Sequence, residues 1–157
     1  MDTRFSSAIH VLVLIAEANA PMTSEDIADS VGTNPSYIRK IIGLLKRKDI
    51  VESHQGISGV RLKPAPEQLT LFQIYQAVHE AEFIRLFDIH QNPNNQCIVG
   101  RHIRPVLSDM FMDLESAFAH ALTGKTLADC IKLIREEEEL SYTEFTSSSM
   151  SGRFIKL

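Results

Sequence analysis

Apolar residues recur at helical spacing through the first fifty positions and then give way to a short alternating stretch. Phe5, Ala8, Ile9, Val11, Leu12, Leu14 and Ile15 spread around most of a helix predicted from about Thr3 to Asn19, which places it between other elements. Asn19, Ala20 and Pro21 end it. Thr23 or Ser24 caps a short second helix with Ile27, Ala28 and Val31 on its inner face, and Gly32 closes it. Thr33-Asn34-Pro35 then starts a third helix, a capping residue followed by proline at the first helical position. Its inner face is Ile38, Ile41, Ile42 and Leu45; Ser36, Arg39, Lys40, Gly43, Lys46 and Arg47 point outward to about Lys48.

From Ile50 to His54 the pattern alternates, Gln55 to Gly59 read as a turn, and Val60 to Lys63 return as a second strand before Pro64 and Pro66. The order of two helices, a capped basic helix and a basic hairpin predicts a winged helix–turn–helix unit over residues 1–80. In such a unit the third helix enters the major groove of double-stranded DNA while its flanks and the hairpin meet phosphate. The candidate contacts are Thr33, Asn34, Ser36, Tyr37, Arg39, Lys40 and Lys46, with Gln55, Gly56, Ser58 and Arg61 on the hairpin, where Lys63 is a further phosphate contact.

A fourth helix near Thr70 (Leu71, Ile74, Tyr75, Val78) packs back on this unit, and residues 81–98, containing Asn92-Pro93-Asn94-Asn95, read as a loop and candidate sensor region. A long helix is expected from about Val99 to Leu122, its regular part starting later because Pro105 suits a first turn. Ile103, Leu107, Met110, Leu114, Phe118 and Leu122 alternate by four and three, a stripe suited to a second copy of the chain. Residues 99–138 thus read as dimerisation helices, the last capped by Thr126 and fraying at Glu136 to Glu139; residues 139–157 read as a flexible tail. The fold class is mostly α with one small β-hairpin. A homodimer fits a palindromic operator.

Composition narrows the function classes. Pro35 to Lys63 carries seven basic and two acidic residues, a local charge of +5, which leaves −9 for the rest of a chain whose net charge is −4. That distribution concentrates attraction for phosphate on one segment. No apolar run reaches transmembrane length and the N-terminus lacks a signal-peptide pattern, so a cytoplasmic protein without membrane contact is expected. No nucleophile–base pair, phosphate loop or metal motif is present, which argues against an enzyme, a metal or a cofactor.

With these elements in place the chain resembles the Rrf-two family of bacterial winged-helix repressors. The likeness spans Met1 to about Glu136 and is carried by Ile27-Ala28-Asp29 before Asn34-Pro35, by the Ser53-to-Leu62 wing, and by the run from Asn92-Pro93 to Cys97-Ile98-Val99-Gly100, which resembles the YwnA-like branch without an iron–sulfur cluster. The resemblance implies a dimer that contacts DNA through Ser36, Tyr37, Arg39 and the wing tip. Where the family wing often carries an arginine and a Gly-Gly pair, this chain has Gln55 and Gly59-Val60; of three cluster cysteines only Cys97 is matched, with Arg85, His90 and Gln91 upstream. Cys97, before the long helix and near Arg101, His102 and Arg104, is a candidate redox sensor, with Cys130 as its resolving thiol. Two other readings are a regulator answering a small molecule bound between arm and winged unit, and a protein–protein adaptor that does not bind DNA.

Overall fold

The computed structural model describes residues 2–151, with six α-helices and one small sheet among them. Helix α1 (Arg4–Glu17), α2 (Ser24–Val31) and α3 (Pro35–Arg47) precede a two-stranded antiparallel sheet, β1 (Val51–Glu52) and β2 (Arg61–Leu62). A 3-10 turn (Pro66–Gln68) leads to α4 (Leu71–His79), followed by α5 (Ile98–Thr123) and α6 (Leu127–Ser151). The mostly helical winged architecture is the one its patterning predicts. No helix among the described residues is long and apolar enough to cross a membrane.

Local chemistry sets the helix ends. Thr23 and Asp26 form a capping box on α2, and Thr70 and Gln73 form another on α4. Asn34 Oδ1 accepts the Tyr37 amide at 2.9 Å, with Pro35 in the first turn of α3. Gly32 ends α2 at φ +72°, where its amide and that of Thr33 both reach the Ala28 carbonyl at 3.0 Å. Between these ends, Leu12, Ile27, Ile38, Ile41, Leu45, Ile74 and Leu127 are fully buried in one core, and no polar side chain among the described residues is buried with them.

Several boundaries differ from the sequence reading. The strands are two residues long because the ladder stops at Glu52; Ser53 and His54 lead into a turn closed by Ile57 N–H to His54 O at 3.2 Å. The wing gains instead a pairing from outside itself: Met22, just before α2, bridges Val60 through bonds of 3.0 and 3.4 Å. Helix α5 begins at Ile98 and runs through Pro105, which occupies its third turn rather than its first. Its start is held earlier because the Asn94 carbonyl packs against Gly100, where no Cβ intervenes. Helix α6 continues past Glu136–Glu139 to Ser151, so the helix end expected at that acidic run is not there; residues 152–157 of the expected tail lie outside the described residues.

Helix α5 spans 26 residues, about 39 Å. Only its far end is sewn to the core: Leu71 N–H bonds Lys125 O at 2.9 Å and Leu127 N–H bonds Leu69 O at 2.8 Å. Leu122, read from sequence as part of the dimer stripe, is buried there in the chain's own core. At 100° per residue it has rotated onto the face that carries Phe111, Glu115 and Ala119, all half-buried. Val106, Met110, Leu114 and Phe118 remain exposed on a different face, while Ile103 and Leu107 are half-covered.

Candidate nucleic-acid interface

The start of α2, the outer face of α3 and the wing enclose a concave surface of about 420 Å³. Arg39, Gly43 and Lys46 of α3 line one wall and Ser53, His54, Ile57 and Ser58 of the wing the other. Arg39 and Lys46 stand seven residues apart, two turns or about 10 Å along α3. Gly43 between them presents no side chain, so the middle of the helix is open to close approach by another molecule.

Helical rotation decides which predicted contacts share this surface. Ser36, Lys40 and Arg47 continue the exposed arc of α3 beyond Arg39, Gly43 and Lys46. Tyr37 does not: it is half-buried and packs against the core, as does buried Leu44 two turns further on. Asn34 spends its side-chain oxygen on the α3 cap, and half-buried Thr33 sits in the tight turn before it. Gln55, Gly56 and Ser58 are exposed at the wing tip, with Gly56 at φ +80° as the turn requires. Arg61 is exposed on β2 opposite Glu52. Two other cations of the basic segment are drawn away: Lys63 pairs with Asp49 at 2.9 Å and Arg47 with Glu80 at 3.0 Å.

The surface is charged but loosely self-paired. Arg39 meets Glu25 at 2.6 Å with both side chains more than half exposed, and Lys46 donates to Ser53 at 2.7 Å. Exposed pairs of this kind contribute little and exchange readily for a phosphate. The residues missed in the sequence were Ser24, read only as a helix cap, Glu25, and Ser53, His54 and Ile57, read as ordinary strand and turn. No spacing along the chain announces that the Met22–Val60 bridge brings these segments together.

At the other end of the molecule, Cys97 is the exposed N-cap residue of α5, and the Gly100 and Val99 amides hold its thiol pKa below the ordinary value. Burial pushes Cys130 the other way. The two thiols flank a helix about 39 Å long, and Cys130 sits one turn into α6 beside the core, so a disulfide between them within one chain, which needs Cα atoms within about 7 Å, is out of reach.

Comparison with known proteins gives a consistent picture. The Rrf2 family model, described as an iron-dependent transcriptional regulator, matches residues 1–133. YwnA of Bacillus subtilis (strain 168), named as an HTH-type transcriptional regulator, is 40% identical over 129 residues, covering 82% of this chain and 95% of that protein. A crystal structure described as a DNA-binding protein superposes with a TM-score of 0.68 at 37% identity, over 82% of this chain and 98% of that one. The structure of CymR (YrzC), the global cysteine regulator of B. subtilis, superposes at 0.64 over 84% and 95% with 16% identity, which speaks to the fold alone. The iron dependence in the family's description finds no matching donor set here. The chain has two cysteines, far apart, and no cluster of three His, Cys, Asp or Glu residues suited to a metal occurs among the described residues.

Proposed function

Because the chain belongs to the Rrf2 family of helix–turn–helix transcriptional regulators, we propose that it is a homodimeric repressor that grips a palindromic operator with two copies of the α3–wing surface. DNA-binding regulation, not catalysis, is the family's activity. The observation that carries the interface is the convergence of Arg39, Lys46 and the wing tip on one concave face. Helix α3 reads base edges with Ser36, Arg39 and Lys40, and Lys46, Arg61 and the exposed wing tip meet the backbone. The protein–protein adaptor reading has no need of cations gathered in this groove.

The second copy is supplied by α5. Val99, Val106, Met110, Leu114 and Phe118 are between 41% and 63% exposed along one side of the helix, with Ala117 and Ala121 between them. A water-facing stripe of this length is the kind of surface that soluble proteins cover by association. A two-fold dimer across it presents two α3 helices to successive major grooves, about 34 Å apart along the duplex.

Replacing Arg39 and Lys46 with alanine tests the interface. Fluorescence anisotropy with the DNA upstream of the chain's own gene should show affinity down at least tenfold and a shallower salt dependence by about two phosphates. An unchanged salt slope in the double variant would remove the groove from the account.

We further propose that Cys97 gives the regulator its redox response. A hydroperoxide transfers one oxygen to the Cys97 thiolate, leaving a sulfenate and releasing water or an alcohol. The lowered thiol pKa puts the reactive thiolate in solution at lower pH than an ordinary cysteine provides. Alkylation of the folded protein should therefore proceed first at Cys97, with a pH midpoint below the ordinary thiol value, and at Cys130 only at higher pH. Peptide mapping of the alkylated residues reads this directly. Oxidant that still alters DNA affinity in Cys97→Ser sinks the redox reading.

A further inference from the structure

Two adjoining cavities lie between the segment after α4 and the flank of α5. One, of about 460 Å³, is lined by four charged side chains of both signs, Arg85, Asp88, Arg104 and Glu115, with Gln91 and Ser108 among them. The other, of about 750 Å³, is walled by Phe72, Phe83, Ile84, Met112 and Ala119, with Glu82 also on its lining. Arg85, Met112 and Glu115 border both. Each of them alone falls in the range that small-molecule sites occupy.

One of the four charged side chains in the first chamber is committed and three are not. Glu115 Oε1 accepts the Leu86 and Phe87 amides at 2.6 and 3.2 Å, which fixes the segment against α5 and orients the carboxylate. Phe87 stacks near Phe111, ring centroids 4.9 Å apart, as a further anchor. Arg85, Asp88 and Arg104 form no ion pair with any described residue. Phe83, at the mouth of the apolar chamber, is 80% exposed.

From this juxtaposition of charges of both signs and a largely apolar chamber, we propose that the cavity between residues 81–91 and α5 binds a free amino acid with an apolar side chain. A ligand of one sign would meet a like charge as well as an opposite one. A zwitterion meets both: its carboxylate faces Arg85 and Arg104, its ammonium faces Asp88 and Glu115, and its side chain enters the space beside Phe72 and Met112. The cavity face of α5 (Arg104, Ser108, Phe111, Glu115) lies roughly 130° around the helix from Val106, Met110 and Leu114, and of the exposed stripe only Phe118 approaches it, so ligand and second copy use largely different faces of α5. Residues 81–91 join α4, which packs on α3, to α5. A ligand clamped there resets the angle between the winged unit and the arm, and with it the separation of two α3 helices. The proposal deepens the regulator reading, on which its consequence for DNA rests.

Isothermal titration calorimetry of the full chain with phenylalanine, leucine and methionine tests it, alongside the decarboxylated amine and the deaminated acid of each, which each keep one charge. At least one amino acid should bind, and the single-charge analogue of the same side chain should bind about tenfold more weakly or worse. Arg104→Gln and Arg85→Gln, both at exposed positions, should each weaken amino-acid binding about tenfold. DNA affinity without ligand should stay as in the parent, which separates failure here from failure of the DNA reading. No binding of any of the three amino acids, equal binding of the single-charge analogues, or binding unaffected by both substitutions would overturn the proposal.

Discussion

Met110→Glu should convert the protein to a monomer and lower its operator affinity by about 100-fold or more, the loss expected when two linked half-sites become two separate events. Met110 is 55% exposed at the centre of the α5 stripe, so the charge costs the isolated chain little. Across a two-fold interface it would place two carboxylates in an apolar seam. Sedimentation velocity reads the assembly and anisotropy reads the DNA. Leu122→Glu is the instructive contrast. Leu122 is 8% exposed, so a charge there should unfold the junction of α4, α5 and α6 instead of separating the two copies. A Met110→Glu protein that still sediments as a dimer would place the interface elsewhere.

Gly59→Val should be the most damaging single change in the winged unit. A Cβ at Gly59 would stand 2.7 Å from the Met22 carbonyl oxygen and 2.8 Å from the Pro21 carbonyl carbon, and both are backbone atoms. The residue also sits at φ +104°, which a β-branched side chain adopts only under strain. The cost is roughly 3 kcal/mol or more, a fall of about 6–12 °C in melting temperature for a chain of this size. The Met22–Val60 bridge would break, and the wing would lose its register beside α3. Gly56→Asn offers the comparison: φ is +80°, no atom lies within 4 Å of the added carbon, and asparagine tolerates that region, so less than about 1 kcal/mol is expected. Thermal denaturation of the two variants separates steric conflict from backbone strain. Equal melting temperatures would mean that the close approach at Gly59 is unimportant.

The features legible in the sequence were those fixed by neighbours along the chain. Thr23, Asn34-Pro35 and Thr70 mark helix starts because a cap bonds an amide two or three residues on, and Gly32 marks an end for a similar local reason. The basic outward face of α3 followed from periodicity. What escaped were outcomes of long-range packing. Tyr37 packs against the core although its place beside Ser36 and Arg39 reads as part of the outward face, and Leu44, two turns on, is buried on the same side. Leu122 fits a heptad stripe equally well until the link to α6 folds the end of α5 onto the core. Pro105 is tolerated in the third turn of α5 because seven residues before it already form helix, at the loss of one hydrogen bond. Lys63 and Arg61, two residues apart on the wing's return, differ because Asp49 is within reach of the first.

Binding of operator DNA by the α3–wing surface underlies every regulatory role proposed above. Its most direct test is anisotropy of the reduced protein with the DNA upstream of its own gene and with a scrambled duplex, from ~50 to ~200 mM salt. Tight binding that prefers the upstream sequence and weakens steeply with salt is expected. Weak binding, insensitive to salt and equal for both duplexes, would contradict it.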